Sequence, residues 1–377
     1  MKSILIENFK GFQGLNQIPV APLTVLVGSN NAGKSSVLQS LLLLHKAAGA
    51  NVGESVWLND DASDTWLGTI DDVINIQSPE DKFSIGLSDE DTGASLVIDF
   101  GRNEDVVTAA NVSCITKGEA DLVPSEMNGI EFYFLTCERI GPRLSAGLGN
   151  MDYPSVGCHG ENCAQILCDS DTRIKVDPSR VFRDERNLNL LPQVNAWMNF
   201  IFPGVILKKP NNYNNLAPSI KAEDRHAEAF LPTNMGFGIS YSLPIVVSCL
   251  IARSGKLVAV QNPEAHLHPD AQTRMGQFLA HASGFGFTLI VETHSDHLLE
   301  GMQIYYANHP ELKGNAIVNS FELSESGAPM VDLIGFREDL QFDKMPKGFM
   351  DRTIRNYNLL RRSLSASERE EIITECI

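Results

Sequence analysis

Gly28-Ser-Asn-Asn-Ala-Gly-Lys34-Ser35 has the form G-x-x-x-x-G-K-[ST], and its flanks give that pattern a structural context. Upstream, Pro22-Leu-Thr-Val-Leu-Val27 is β-branched and apolar, the composition of a buried strand. Downstream, Ser36-Val-Leu-Gln-Ser-Leu-Leu-Leu-Leu-His45 is helical in composition and mostly apolar. Strand, glycine-rich turn and helix are the parts of a phosphate-binding loop, where successive backbone N–H groups and a helix N-terminus surround an anion. In such a loop Lys34 reaches the β- and γ-phosphates and Ser35 holds Mg2+. Asn30, Asn31, Ala32, Gly33, Lys34, Ser35 and Ser36 are therefore expected to wrap a nucleoside triphosphate.

Working outward, dense signal returns only in the second half. Thr233-Asn-Met-Gly-Phe-Gly-Ile-Ser240 opens the helical run Ile245-Val-Val-Ser-Cys-Leu-Ile-Ala252. Gly238 and Ser240, at a helix start, are chemically equipped to hold phosphate through backbone N–H and hydroxyl groups. Leu257-Val-Ala-Val260 is a short buried strand leading into Gln261-Asn-Pro-Glu-Ala-His-Leu-His-Pro269. Thr288-Leu-Ile-Val-Glu-Thr-His-Ser-Asp296 is another, ending near His294.

The collinear order of these four stretches resembles the ATP-binding-cassette (ABC) ATPases of the SMC, RecF and OLD group. An opening strand of the form I-x-N-F-K-G-F, Ile6 to Phe12, is shared with that group. By this resemblance, Gly238 and Ser240 belong to a signature loop, although the letters L-S-G-G-Q are absent. Gln261 ends the Walker B strand, Asn262 and Glu264 follow in the subunit-facing turn, and His294 is the switch histidine that contacts the γ-phosphate. Phe9, Lys10 and Phe12 are base-side candidates, with a core strand as the alternative. Gln77 is the nearest glutamine to the expected Q-loop and the candidate second Mg2+ contact beside Ser35. The implied fold class is α/β: an ABC-type head with a mixed central sheet carrying the phosphate loop, an antiparallel side sheet and a helical lobe. A terminal box, Pro346-Lys-Gly-Phe-Met-Asp351, resembles a bacterial subfamily grouped with AAA proteins and carrying a C-terminal domain of unknown function. Too few residues follow His294 to build the Toprim nuclease domain of full-length OLD proteins.

The expected organisation is an ATPase lobe over 1–80, a β-rich and irregular insertion over 81–230, and the signature, Walker B and switch segments over 231–300. C-terminal strands and a helix complete it over 301–377. Alternating runs from Phe83 to about Asn111 suggest a β-meander. Glu138-Arg-Ile-Gly-Pro-Arg143 can bind phosphate, pair across an interface, or form a structural salt-bridge corner. The insertion shows no heptads, so the long coiled coil of the long-armed relatives is not expected.

Composition sets limits. The 377 residues are 43% hydrophobic and 20% charged, which suits a sizeable core and argues against disorder. A net charge of −17 makes the chain a poor default DNA binder, because phosphate contacts need clustered Lys and Arg. No apolar run approaches the ~20 residues needed to span a bilayer, and the opening segment lacks a signal-peptide core. Seven cysteines in such a chain point to reduced thiols and a cytoplasmic location. Cys158, Cys163, Cys168 and His159 have loose zinc-like spacing without a fourth ligand at a matching interval, so ordinary thiols are expected.

Gln261 departs from the family pattern, which has an acidic residue there to order Mg2+ and the attacking water. A neutral amide cannot act as a base. Either Gln261 is a Glu→Gln change made to trap ATP, or the chain is a natural switch that hydrolyses poorly. The completeness of the remaining motifs favours the first. In both cases ATP should be bound better than it is cleaved. The resemblance implies ATP and Mg2+ as cofactors, a homodimer with ATP sandwiched between Gly28–Ser36 of one subunit and Gly238–Ser240 of the other, and no membrane. A separate nuclease or toxin effector in anti-phage defence is the implied partner. A RecF-like clamp on duplex DNA and a non-hydrolysing ATP sensor are the alternatives.

Overall fold

The fold is described from a computed structural model. It covers residues 1–344, apart from 61–64, 130, 143–150, 184, 209–220, 224–228, 231–235, 336 and 338–341. Arg143, Thr233 and the 346–351 box lie outside the described residues.

Strands and helices are numbered in chain order. The central sheet has the order β10 (Phe132–Leu135), β14 (Leu257–Gln261), β15 (Thr288–Glu292), β3 (Leu23–Gly28), β16 (Ala316–Leu323) and β17 (Pro329–Ile334). All neighbours in it pair in parallel except β16 with β17, which pair antiparallel. The sheet is therefore mixed, as expected. A second, wholly antiparallel sheet runs β2 (Leu15–Val20), β1 (Lys2–Glu7), β7 (Lys82–Asp89), β8 (Ala94–Arg102), β9 (Ala109–Lys117) and β4 (Ser55–Trp57). Short ribbons complete the strands: β5 (Asn59–Asp60) with β6 (Thr65–Trp66), and β11 (Ile206–Lys208) with β12 (Lys221–Glu223) and β13 (Ala229–Phe230).

The central strands are apolar on both faces because both faces are covered. Leu23, Val25, Val27, Val258, Val260, Leu289 and Val291 enter one core, with helices α3 (Cys163–Arg173), α4 (Leu190–Ile201), α5 (Phe237–Ile251), α6 (Pro269–Ala282) and α7 (Asp296–Asn308). Leu26, Leu257, Ala259 and Ile290 enter the other, beneath α1 (Lys34–Ala47), α2 (Ile70–Val73) and the side sheet. Side chains alternate along a strand, so Gln261 and Glu292 share the α1 face with Ala259 and Ile290.

Pairing of β1 with β7, and of β10 with β14, carries residues 81–135 into both ATPase sheets. The meander β7–β9 extends the sheet that β1 begins. The reason is long-range strand pairing, which local sequence patterns do not report.

Candidate functional site

The phosphate loop leaves β3 through Gly28, whose φ of +129° lies in the left-handed half of conformational space. A Cβ there would sit 2.1 Å from the Phe321 carbonyl oxygen on β16, so the backbones meet where no side chain fits. Asn31, at φ +62°, and Gly33, at φ +100°, complete the turn, and Gly33 stands at the N-cap of α1. Asn30 and Asn31 are exposed, Ala32 is buried, and Ser36 is half-buried. Lys34 is 3% exposed, its ammonium donating to the carbonyls of Gly28 at 3.0 Å and Ser29 at 2.7 Å. Burial lowers its pKa, and the nearby Glu292 opposes that shift. The charge is thus held at the mouth of the loop where a phosphate belongs.

Sequence reading missed Glu292. Strand β15 lies between β3 and β14, and its last residue pairs in register with Gln261 on one side and Leu26 on the other. Ser35 Oγ–H donates to Glu292 Oε1 at 2.7 Å, and Gln261 Nε2–H donates to Glu292 Oε2 at 3.2 Å. The Cys137 N–H donates to Gln261 Oε1 at 3.3 Å, so both ends of the amide are engaged and its orientation is fixed. The only sequence signal for Glu292 is an acid closing an apolar strand two residues before His294.

Beyond β14 the chain turns sharply, with Asn262 at φ +45° and His266 at φ +61°. The Asn262 N–H donates to the Glu292 carbonyl at 2.8 Å, while its side-chain Oδ1 is buried with no partner among the described residues. Glu264 accepts from Thr293 Oγ1 and from the His294 N–H, both at 2.8 Å, so this carboxylate ties the turn to the switch segment. His294 itself is exposed; desolvation and the Lys34 charge lower its pKa, and Glu264 and Glu292 oppose that shift. His266 and His268 have separate duties. The first stacks among Phe237 and Tyr241, and the second accepts from the Asp270 N–H at the start of α6.

Arg139 links these parts. Only 3% exposed, it donates to the carbonyls of Thr136 at 3.0 Å, Gln261 at 2.6 Å and Asn262 at 2.6 Å. Its guanidinium also lies 5.3 Å from the Tyr241 ring centre on α5. Burial lowers its pKa to about 10, still well above neutrality. Of the readings open for the 138–143 segment, Arg139 takes the structural one. Gly238 packs on His266, Leu267 and Phe202, on the turn rather than on the phosphate loop, and Ser240 is half-buried two residues further along α5.

Gln77 is exposed in the turn after α2, where its N–H donates to Asn75 Oδ1 at 2.9 Å; no hydrogen bond joins it to Ser35. Phe9 and Phe12 are fully buried, which leaves Lys10, bonded to Gln39 at 2.7 Å, as the base-side candidate. Among the described residues no group of three His, Cys, Asp or Glu side chains is arranged to hold a metal. None of the described helices is long and apolar enough to cross a membrane. Oxygen donors at Ser35 and Glu292 suit a hard divalent cation such as Mg2+.

Comparisons with known proteins agree with this geometry. Residues 1–121 match the family described as "AAA ATPase domain", and residues 169–300 match the family described as "AAA domain, putative AbiEii toxin, Type IV TA system". No curated protein matches the chain. Among solved structures, an SMC head bound to the C-terminal winged-helix domain of ScpA is 12% identical, with a TM-score of 0.51, over 89% of this chain and 98% of that one. An SMC head from Thermotoga maritima is 11% identical, with a TM-score of 0.46, over 88% and 97%. A Pyrococcus furiosus SMC head with an extended coiled coil, bound to the C-terminal domain of ScpA, is 12% identical, with a TM-score of 0.48, over 96% and 100%. At 12% identity the likeness with a TM-score of 0.51 concerns the fold alone. Residues 1–121 and 169–300 are thus each similar to an AAA domain, and the chain shares its fold with an SMC head, with the phosphate loop and the ends of β14 and β15 on three neighbouring strands of one sheet.

Proposed function

We propose that the chain binds ATP with Mg2+ as half of a composite site, which a second copy completes, and that closure of the dimer signals to a separate effector. Lys34 and the loop N–H groups hold the phosphates, Ser35 and its acidic neighbour hold the cation, and His294 faces the γ-phosphate. Gly238 and Ser240 serve the partner's nucleotide. Such an interface is two-fold and self-complementary.

The observation that carries this reading is the strut at Arg139. It ties the turn after β14 to α5, so a change at the nucleotide is felt at the helix whose N-terminus leads to a partner. Phe237 at that N-terminus is 54% exposed, an apolar group available for burial at an interface. With Gln261 at the Walker B end, hydrolysis is slow and the ATP state long-lived. The toxin named in the second family's description supports a setting in anti-phage defence, with a nuclease or toxin as effector. Net charge of −17 favours a protein partner over duplex DNA.

The test measures ATP affinity and release for the native chain, Lys34→Ala and Ser240→Arg. Lys34→Ala should lose about 100-fold in affinity. Ser240→Arg should bind ATP normally yet release it quickly, because the partner's half of the site is blocked. Unchanged release in Ser240→Arg would remove the composite site.

A further inference from the structure

We infer that Glu292, on the switch strand, is the carboxylate that serves the divalent cation of the nucleotide site, and that Gln261 orients it. The inference rests on the ATP·Mg2+ reading above and concerns which residue supplies the negative charge.

Topology comes first. Strand β14 is separated from the phosphate-loop strand β3 by β15, so the end of β15 is the nearer of the two to the start of α1. Alternation along β15 turns Glu292 toward that side. The result is direct contact: Glu292 Oε1 accepts the Ser35 hydroxyl at 2.7 Å. A serine whose proton is engaged by a carboxylate keeps its oxygen lone pairs for a cation. Gln261 is placed differently. Its carbonyl oxygen accepts from Cys137 and its amide N–H donates to Glu292, so its polar atoms are already spent on the chain itself.

Charge balance points the same way. Glu292 is 5% exposed, yet no described Lys, Arg or His nitrogen pairs with it within ion-pair distance. The nearest influential cation, Lys34, directs its ammonium to the Gly28 and Ser29 carbonyls. A carboxylate this buried is held by two neutral donors where a full positive charge is needed. A hard divalent ion beside Ser35 supplies that charge, and oxygen ligands are what such an ion prefers.

The test uses Mn2+ as a spectroscopic substitute for Mg2+, titrated into nucleotide-loaded protein and followed by electron paramagnetic resonance. ATP affinity is measured in parallel in a chelator. Glu292→Gln should weaken Mn2+ binding at least about tenfold, and Gln261→Ala should weaken it less, by a few-fold. Both variants should still bind ATP in the chelator, which shows that the site is folded. Glu292→Asp, which keeps the charge at shorter reach, should retain part of the Mn2+ affinity and covers the case in which the amide variant fails to fold. If Glu292→Gln binds ATP and Mn2+ as the native chain does, the inference is wrong while the ATP reading stands. If the native chain binds no ATP with or without the metal, both fall together.

Discussion

Replacing Gln261 by Glu sets two carboxylates against each other. Gln261 Nε2 donates to Glu292 Oε2 at 3.2 Å, so the variant exchanges a donor for an acceptor at that separation. At an effective dielectric constant of about 20, like charges this close repel by about 5 kcal/mol. Proton uptake caps the cost, because keeping one carboxyl protonated at pH 7 against an ordinary pKa near 4.3 requires about 3.7 kcal/mol. Gln261→Glu should therefore lose about 3 to 4 kcal/mol of unfolding free energy at neutral pH in a chelator. One pKa of the pair is raised in the folded state above its unfolded value. The deficit consequently shrinks as pH falls to about 5 and is fully expressed by about pH 8. A divalent cation between the two carboxylates offsets the repulsion, so Mg2+ should restore most of the loss. Urea unfolding of native and variant chains across this pH range, with chelator and with Mg2+, reads out each term. Equal stability of the two chains in chelator at pH 7 would refute the facing geometry on which the reasoning depends.

Gly28→Ala should destabilise the chain by about 3 kcal/mol or more, since its Cβ would meet the Phe321 carbonyl at 2.1 Å; denaturant unfolding measures it. Arg139→Met removes donors from the Thr136, Gln261 and Asn262 carbonyls and should cost about 3 kcal/mol in the same assay, with Arg139→Lys rescuing little because a single ammonium cannot reproduce the fork. His281, half-buried beside Tyr305, has its pKa lowered to about 4 by desolvation first and by nearby His309 and Arg183 next. A lowered folded-state pKa means stability present above about pH 6.5 and lost as pH falls toward 4, worth about 3 kcal/mol, so His281→Gln should flatten that part of the unfolding profile.

Much of the candidate nucleotide site was legible because its parts are local. The phosphate loop needs only a strand, a turn and a helix in succession, and Gly28 to Ser35 carries all three cues within a short span. The strands expected to carry Walker B and the switch, β14 and β15, were legible as apolar runs ending in polar turns. Glu292 was not, although it stands in the quoted switch strand, because its importance depends on β15 running between β14 and β3. Strand order is set by long-range packing and leaves no trace in the residues around position 292. Arg139 was visible as a candidate with open roles; its partners Gln261 and Asn262 are brought to it by the pairing of β10 with β14. The same cause pairs β1 with β7, whose residues lie far along the chain from it. Gln77 was singled out only for being the nearest glutamine, and its exposed place after α2 gives it no link to Ser35.

The central claim is that ATP joins two copies of this chain at half-sites built around Lys34. Light scattering of the purified chain with Mg2+ and ATP, with ADP, and with the Lys34→Ala variant tests it most directly. The native chain in ATP should show a dimer mass, and the other two samples the monomer mass. A mass that does not respond to ATP, while one ATP is bound per chain, would contradict it.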